Sequence, residues 1–198
     1  MSLSLRRATR PAAVVGSLLA VLAIACAPAG AHSQSHAGTG FGATTLKLDP
    51  AAVSALTSLG VTPAPIAPAR ATRSGDLAFP ITNSFADALR TGVIHHSGGI
   101  SLTAGSTTVA LTDFDIDVRA GQLSALVGGA RVAILDLDFS AARVAFRHGG
   151  VRVGPVGAKL TQAAADALNG AFGLPAGTVP AGLKLGDATV HSRLSHHH

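Results

Sequence analysis

Alternation of apolar and polar residues, interrupted by paired glycines, is the feature of this chain that most restricts its fold. The alternation begins near Asp76 and continues to His191, with breaks at Gly98-Gly99, Gly128-Gly129 and Gly149-Gly150. Successive side chains of a β-strand point to opposite faces, and paired glycines are typical of hairpin turns. Several short strands separated by turn signals predict an all-β domain. We therefore expect a mainly β fold, either an antiparallel β-sandwich or a curled antiparallel sheet, with two short helices.

Two of the expected strands change the parity of their alternation. In the first, a β-bulge near Thr112-Asp113 would bring all the apolar residues to the core: Val109, Leu111, Phe114, Ile116 and Val118. In the second, a bulge or kink at Ser140-Ala141-Ala142 would do the same for Leu135, Leu137, Phe139, Val144 and Phe146. One extra residue in a strand shifts every later side chain to the other face, so both bulges follow from the pattern.

Capping residues mark the two expected helices. Asp49-Pro50 predicts a helix start that ends near Gly60, and Thr161 predicts a second start that ends near Gly173. Aspartate and threonine accept hydrogen bonds from the free N–H groups of a first turn, and proline is favoured at its first position. The proline-rich segment 62–71 is expected to be extended.

The first 31 residues have the pattern of a secretory signal peptide. Arg6, Arg7 and Arg10 precede an uncharged apolar run, and Ala29-Gly30-Ala31 has the small residues of a cleavage site. We expect cleavage after Ala31 and a secreted or extracellular protein with no integral membrane segment after cleavage. A membrane anchor would need about 20 apolar residues, more than this run provides. A lipid anchor through Cys26 is the alternative, although the residues before it form a poor lipobox, and the sequence after Arg6-Arg7 does not favour twin-arginine export.

The expected organisation is a signal peptide (1–31), a flexible N-terminus (32–42), a single β-rich domain (43–191) and a disordered tail (192–198) that ends in three histidines. The mature chain then has no cysteine, which excludes disulfides and thiol chemistry. Three of the 15 Lys and Arg lie in the leader, so 12 remain against 10 Asp, a net charge of +2. The chain has no Trp or Tyr, and single-stranded nucleic acid is bound on aromatic platforms in basic grooves. We therefore expect no nucleic-acid partner.

Three aspartates provide a candidate metal site. Asp113, Asp115 and Asp117 alternate along one strand, which places their side chains on one face about 6.6–6.8 Å apart. Calcium takes oxygen ligands of this type but requires six to eight that converge. The alternative is a solvated face with cross-strand arginine partners, drawn from Arg119, Arg131, Arg143 and Arg147. A hydrolase with paired carboxylates is a further, weaker reading, because nothing in the pattern raises one aspartate to a general acid.

His95, His96 and Ser97 form a candidate ligand-binding segment. Adjacent strand residues face opposite sides, so the two imidazoles are not expected to bind one metal together. His96 could contact haem or a metal, and the alternative is a structural or surface histidine. Ser97 lacks the strand–turn–helix setting of a nucleophile elbow. No catalytic residue is assigned, and we expect the protein not to be an enzyme.

Several motifs resemble a widespread secreted domain of actinobacteria. They include Phe79-Pro80-Ile81-Thr82, the segment from Gly92 through His96-Ser97-Gly98-Gly99 to Leu102, and the segment from Leu160-Thr161 to Phe172-Gly173. More distantly, the histidine segment is similar to haem-uptake domains of the HtaA type. That resemblance implies a β-rich secreted or surface domain that binds haem through a tyrosine supported by a histidine. His96 matches the histidine, and the tyrosine has no counterpart in this chain.

These observations favour a secreted, non-enzymatic binding or structural domain of the cell envelope or exterior. Its partner would be an extracellular or cell-wall component, its state a monomer, and its cofactor none. The alternative function is a haem-binding module that uses His96. An aspartate-based hydrolase and a calcium-binding domain are the less favoured readings.

Overall fold

A computed structural model of the protein describes residues 41–147 and 149–193. The leader, residues 32–40 and the three terminal histidines lie outside the described residues. Within them are twelve strands: β1 (Gly42–Leu48), β2 (Thr62–Ile66), β3 (Arg70–Ala71), β4 (Leu77–Pro80), β5 (Val93–His95), β6 (Gly99–Ala104), β7 (Thr107–Asp117), β8 (Gln122–Val127), β9 (Ala130–Asp138), β10 (Arg143–Arg147), β11 (Gly150–Leu160) and β12 (Lys184–Arg193). The three helices are α1 (Pro50–Ser58), α2 (Phe85–Thr91) and α3 (Gln162–Ala171).

All twelve strands belong to one antiparallel sheet that curls until it nearly closes. The order along the sheet is β2-β6-β7-β8-β9-β11-β12-β1-β4-β3, with β10 on β11 and β5 on β7. A bridge between Ile81 and His96 then joins the end of β4 to the end of β5. The Thr82 N–H donates to the His95 carbonyl at 2.9 Å, and the Ser97 N–H donates to the Pro80 carbonyl at 3.1 Å. The mainly β, antiparallel prediction is therefore confirmed, and of its two forms the structure has the curled sheet.

The predicted bulge in β7 is present. The register between β7 and β8 shifts between Thr112 and Asp115, and Asp113 has a φ of 50°. A positive φ at a non-glycine residue carries a strain cost, which the surrounding pairing must offset. The shift brings Phe114 and Ile116 into the core. Val118, expected in the core, is instead 45% exposed, because β7 ends one residue before it.

The second predicted break is also present, but it has a different consequence. β9 ends at Asp138, residues 139–142 form a turn, and β10 begins at Arg143. The expectation that Val144 and Phe146 join the core is wrong, since they are 59% and 71% exposed. Val144 and Phe146 stand opposite Val153 and Val151 of β11, so their side chains are on the core-facing side of the sheet. β10 pairs with no other described strand, and this part of the face is exposed.

Both predicted helices form with the expected caps, and the structure adds a third. The Asp49 carboxylate accepts from the Ala51 N–H at 2.9 Å, and the Thr161 hydroxyl oxygen accepts from the Ala164 N–H at 3.1 Å. The additional helix, α2, has Ser84 as its N-cap, and the Ser84 hydroxyl accepts from the Asp87 N–H. Among the described helices none combines the length and the apolar composition that a bilayer crossing requires.

The core fills the curled sheet and is closed on one side by α3. Ala164 and Ala165 of α3 are buried, and this helix packs against β9. Phe79 and Phe114 meet edge to face near the closure, with ring centroids 5.1 Å apart and planes at 88°. Edge-to-face aromatic pairs add about 0.5–1.5 kcal/mol to the burial of their area. Phe114 therefore connects the bulged strand to β4.

Truncation of Phe114 should strongly destabilise the protein. We expect Phe114→Ala to lower the free energy of unfolding by about 3–5 kcal/mol, because it removes a buried ring and leaves a cavity. Phe146→Ala is the matched control, since that ring is exposed and its loss should cost less than about 0.5 kcal/mol. Urea denaturation followed by circular dichroism measures both. A cost below about 1 kcal/mol for Phe114→Ala would contradict this packing.

Candidate functional site

His96 is a buried histidine at the closure of the sheet. His96 is 4% exposed, and its backbone N–H donates to the Phe114 carbonyl at 2.9 Å. Its Nδ1 lies 3.0 Å from the same carbonyl oxygen, and its Nε2 lies 2.7 Å from the Thr44 hydroxyl. The imidazole therefore links the segment after β5 to β1 and β7.

The partners of His96 fix its tautomer and its charge. A carbonyl oxygen only accepts, so Nδ1 carries the proton and donates to Phe114. Nε2 is then an acceptor, and the Thr44 hydroxyl donates to it. Burial lowers the pKa of His96 to about 4, although the Phe114 carbonyl acts in the opposite direction. At neutral pH the imidazole is uncharged, and the lone pair with which it could bind a metal is occupied by the Thr44 hydroxyl.

His95 points to the opposite side of the sheet, as strand alternation predicts. Its Nδ1 lies 2.6 Å from Asp115 Oδ1, and Arg131 Nη1 lies 3.0 Å from Asp115 Oδ2. The Asn83 side chain accepts from the His95 N–H and donates to the Val93 carbonyl, which orients this segment. The result is a polar cluster of one carboxylate between two basic side chains on the solvent face.

This cluster contains the residue types of a hydrolytic triad in an order that does not suit catalysis. His95, Asp115 and Ser124 stand opposite one another on β5, β7 and β8. Asp115 lies in the middle, whereas general-base catalysis requires the histidine between the serine and the carboxylate. The Ser124 hydroxyl accepts from Arg131 at 3.3 Å. Ser97, the other serine near the histidines, contributes its backbone N–H to the closure.

The three aspartates of the candidate metal site have separate surroundings. Asp115 is in the cluster just described. Asp113 lies in the bulge and is exposed. Asp117 accepts from the backbone N–H groups of Arg119 and Ala120 at 2.9 and 2.8 Å, which closes the turn after β7. The described residues hold no group of three or more His, Cys, Asp or Glu side chains placed to bind a metal.

An apolar surface lies on the inner face of the sheet, at its uncovered edge. One row of directly opposed residues crosses five strands: Val144, Val153, Val190, Thr44 and Phe79. The exposed fraction falls from 59% at Val144 to 5% at Phe79. Phe146 stands opposite the buried Val151 in the next row. We call Val144 and Phe146 the apolar lip, because they extend the core surface into solvent.

Sequence reasoning found His95 and His96 but missed their partners. Thr44 and Asn83 come from other parts of the chain, and neither has a local pattern that marks it. The same is true of Ser124, which contacts Arg131. Arg131 is among the predicted arginine partners of the aspartates, and it pairs with Asp115. The exposure of the apolar lip had no sequence signal, since its alternation is the same as that of a core strand.

Neither a protein-family model nor a curated protein sequence matches the chain. A solved structure does match: the crystal structure of the C-terminal domain of HtaA from Corynebacterium glutamicum, with a TM-score of 0.53 and 17% sequence identity. The match covers 79% of this chain and 99% of that domain. This protein therefore shares its fold with that domain, as the resemblance of the histidine segment implied.

The buried, neutral His96 makes the stability depend on pH. In the unfolded chain it takes up a proton below about pH 6.5, whereas in the folded protein it stays neutral to about pH 4. The unfolded state thus binds more protons between these values, and the free energy of unfolding should fall as the pH falls through that window. The loss should be on the order of 3 kcal/mol.

Denaturation with urea at pH 7 and at pH 4.5 measures this loss. His96→Gln is the comparison, because the glutamine amide does not titrate. The free energy of unfolding of this variant should fall less between pH 7 and pH 4.5. Proton NMR titration of the His96 imidazole gives a second readout, and an ordinary pKa there would contradict the buried, hydrogen-bonded geometry.

Proposed function

We propose that this protein is a non-enzymatic binding domain of the cell exterior or envelope that holds an apolar ligand at the apolar lip. The observation that carries the proposal is the row from Phe79 to Val144, in which a buried inner face continues without interruption onto exposed apolar side chains. Large apolar side chains that adjoin one another at a surface mark interaction sites. Burial of a phenylalanine side chain contributes about 1.5–3 kcal/mol, so a ligand that covers the lip gains affinity there.

The fold and the leader support the same proposal. The leader pattern at 1–31 predicts export, and a curled sheet that exposes one edge offers a preformed apolar surface. Ligand sites are commonly concave, mainly apolar and formed before binding. The proposed partner is therefore an extracellular or cell-wall component with an apolar part.

A structural role for the polar candidates supports a domain without catalysis. His96 has both ring nitrogens hydrogen bonded within the fold, and Asp117 holds a turn. Asp115 is paired on both sides by His95 and Arg131. Each of these groups stabilises a strand junction, a task that accounts for its position without a reaction.

Haem is the second candidate ligand, favoured by the shared fold with the HtaA domain. The resemblance implies a tyrosine supported by a histidine, and in this chain the hydroxyl that contacts His96 belongs to the buried Thr44. For His96 to bind iron, its Nε2 would have to give up that hydroxyl. A haem at the lip instead would contact Phe146 and Val144 with its macrocycle.

The lip is tested with a fluorescent apolar probe, anilinonaphthalene sulfonate. We expect the native protein to raise the fluorescence of the probe along a saturable binding curve. Val144→Ser/Phe146→Ser should weaken binding of the probe at least about tenfold, since two apolar contacts are lost. Leu89→Ser is the control, because Leu89 is 67% exposed on α2 and is not part of the lip. Equal weakening in the control, or none in the lip variant, would contradict the proposal.

Haem titration followed by absorption distinguishes the two haem geometries. If haem binds on the lip, we expect a Soret shift that saturates at one equivalent. This shift should persist in His96→Gln and disappear in Val144→Ser/Phe146→Ser. Loss of the shift in His96→Gln, with circular dichroism unchanged, would instead identify His96 as the ligand. The absence of any shift would reject haem and leave other apolar ligands for the lip.

A further inference from the structure

A group of four arginines and one histidine lies on the outer face of the sheet, behind the core. Arg152 of β11 stands directly opposite His191 of β12, and Arg193 follows two residues later on the same face. Arg70 of β3 pairs with Ala78, on the same face of β4 as Pro80. Arg143 lies on the outer face of β10, since its neighbour Val144 faces inward. All five of these residues are exposed.

Three of these basic residues, Arg70, His191 and Arg193, surround a cleft. Its volume is about 410 Å³, and its lining consists of Gly42, Ala43, Arg70, Pro80, His191, Ser192 and Arg193. The glycine and the alanine of β1 have the smallest side chains of that lining, so the strand offers a low floor between the basic side chains. Ala43 pairs with His191 on one side and with Pro80 on the other, which places this floor between β12 and β4.

The described structure leaves the charges of the cleft without acidic partners. The ion pairs among the described residues are Arg90–Asp87, His95–Asp115, Arg131–Asp115 and Lys184–Asp187. None of them includes a cation of the cleft. Asp187, four residues before His191 on the same face of β12, is already paired with Lys184. Burial and the charge of Arg152 lower the pKa of His191, which agrees with an electropositive surface.

We propose that this cleft, the basic cleft, binds the phosphate groups of a flexible, extracellular polymer whose repeats are joined through phosphate. Guanidinium groups bind phosphate oxygens through paired, charge-assisted hydrogen bonds. Arg70 and Arg193 supply such groups at the cleft, and Arg152 and Arg143 continue the positive surface over β11 and β10. A polymer that carries one phosphate in each repeat would contact the cleft and this extension together.

The shape and composition of the surface favour such a polymer over two other polyanions. The phosphates of a bilayer lie in one plane, whereas the floor of the basic cleft lies below its arginines. Single-stranded nucleic acid stacks its bases on large aromatic side chains, and no Phe, Trp or Tyr is among the described residues that line the cleft. A narrow, flexible chain enters the cleft without either requirement.

The basic cleft is independent of the apolar lip. Arg143 and Val144 are adjacent on β10 and therefore face opposite sides of the sheet. The inference goes beyond the proposed function, and either surface can fail its test without effect on the other.

The test is fluorescence anisotropy of labelled inorganic polyphosphate titrated with the purified protein at low salt. We expect saturable binding that Arg70→Gln/Arg193→Gln weakens at least about tenfold, since two charge-assisted contacts are lost. Arg90→Gln/Arg119→Gln is the control, because it removes the same two charges from α2 and from the turn after β7. Circular dichroism verifies that both double variants fold, as expected for exposed side chains.

Four results would overturn the proposal. Equal weakening in the control variant would show attraction by net charge alone, and no binding would reject the site. Equal affinity for polyglutamate would remove the preference for phosphate. Vesicles that contain phosphatidylglycerol are the competing probe. If the protein bound these vesicles and not polyphosphate, and Arg70→Gln/Arg193→Gln lost that binding, the surface would be assigned to a membrane. Retention of polyphosphate binding in Val144→Ser/Phe146→Ser verifies independence from the lip.

Discussion

His96 connects strands that are far apart in the sequence, and the closed form of the sheet depends on that connection. Its ring reaches Thr44, 52 residues earlier, and Phe114, 18 residues later. The contact suits a neutral imidazole, which has one donor and one acceptor on opposite sides of the ring. A charged ring would lose the acceptor and would carry the cost of burial. The residue that looks most like a ligand in the sequence is therefore part of the framework that joins β1, β5 and β7.

Two breaks in strand regularity decide what fills the interior. The bulge at Asp113 places Phe114 against Phe79 beside the closure. A close approach at Gly99 assists it, because a Cβ there would collide with the carbonyl oxygen of Leu111. The break at 139–142 divides the partner of β11 into β9 and β10. Since α3 covers β9, the inner face of β10 is left as an uncovered continuation of the core.

The two proposed surfaces are opposite faces of the same few strands. Where β10 pairs with β11, the inward residues are valines and a phenylalanine, and the outward ones include Arg143 and Arg152. Alternation within a strand thus separates an apolar contact surface from a cationic one by the thickness of a single sheet. β11 pairs with β12 and β10 pairs with β11, so both surfaces are formed before any ligand arrives, which lowers the entropy cost of binding.

The sequence by itself determined the β class, the glycine turns, the caps of α1 and α3, both breaks in alternation and the opposite orientations of His95 and His96, because these depend on neighbours along the chain. The sequence also carries a signal for α2, since the Ser84 hydroxyl accepts from the Asp87 N–H and donates to the Asp87 carboxylate. The tertiary structure alone decided that the Thr44 hydroxyl is hydrogen bonded to His96 Nε2 and that Asp115 lies between His95 and Ser124. It also decided that Val144 and Phe146 are exposed. Those outcomes depend on which strands become neighbours and on where a helix covers the sheet, and alternation does not encode either one.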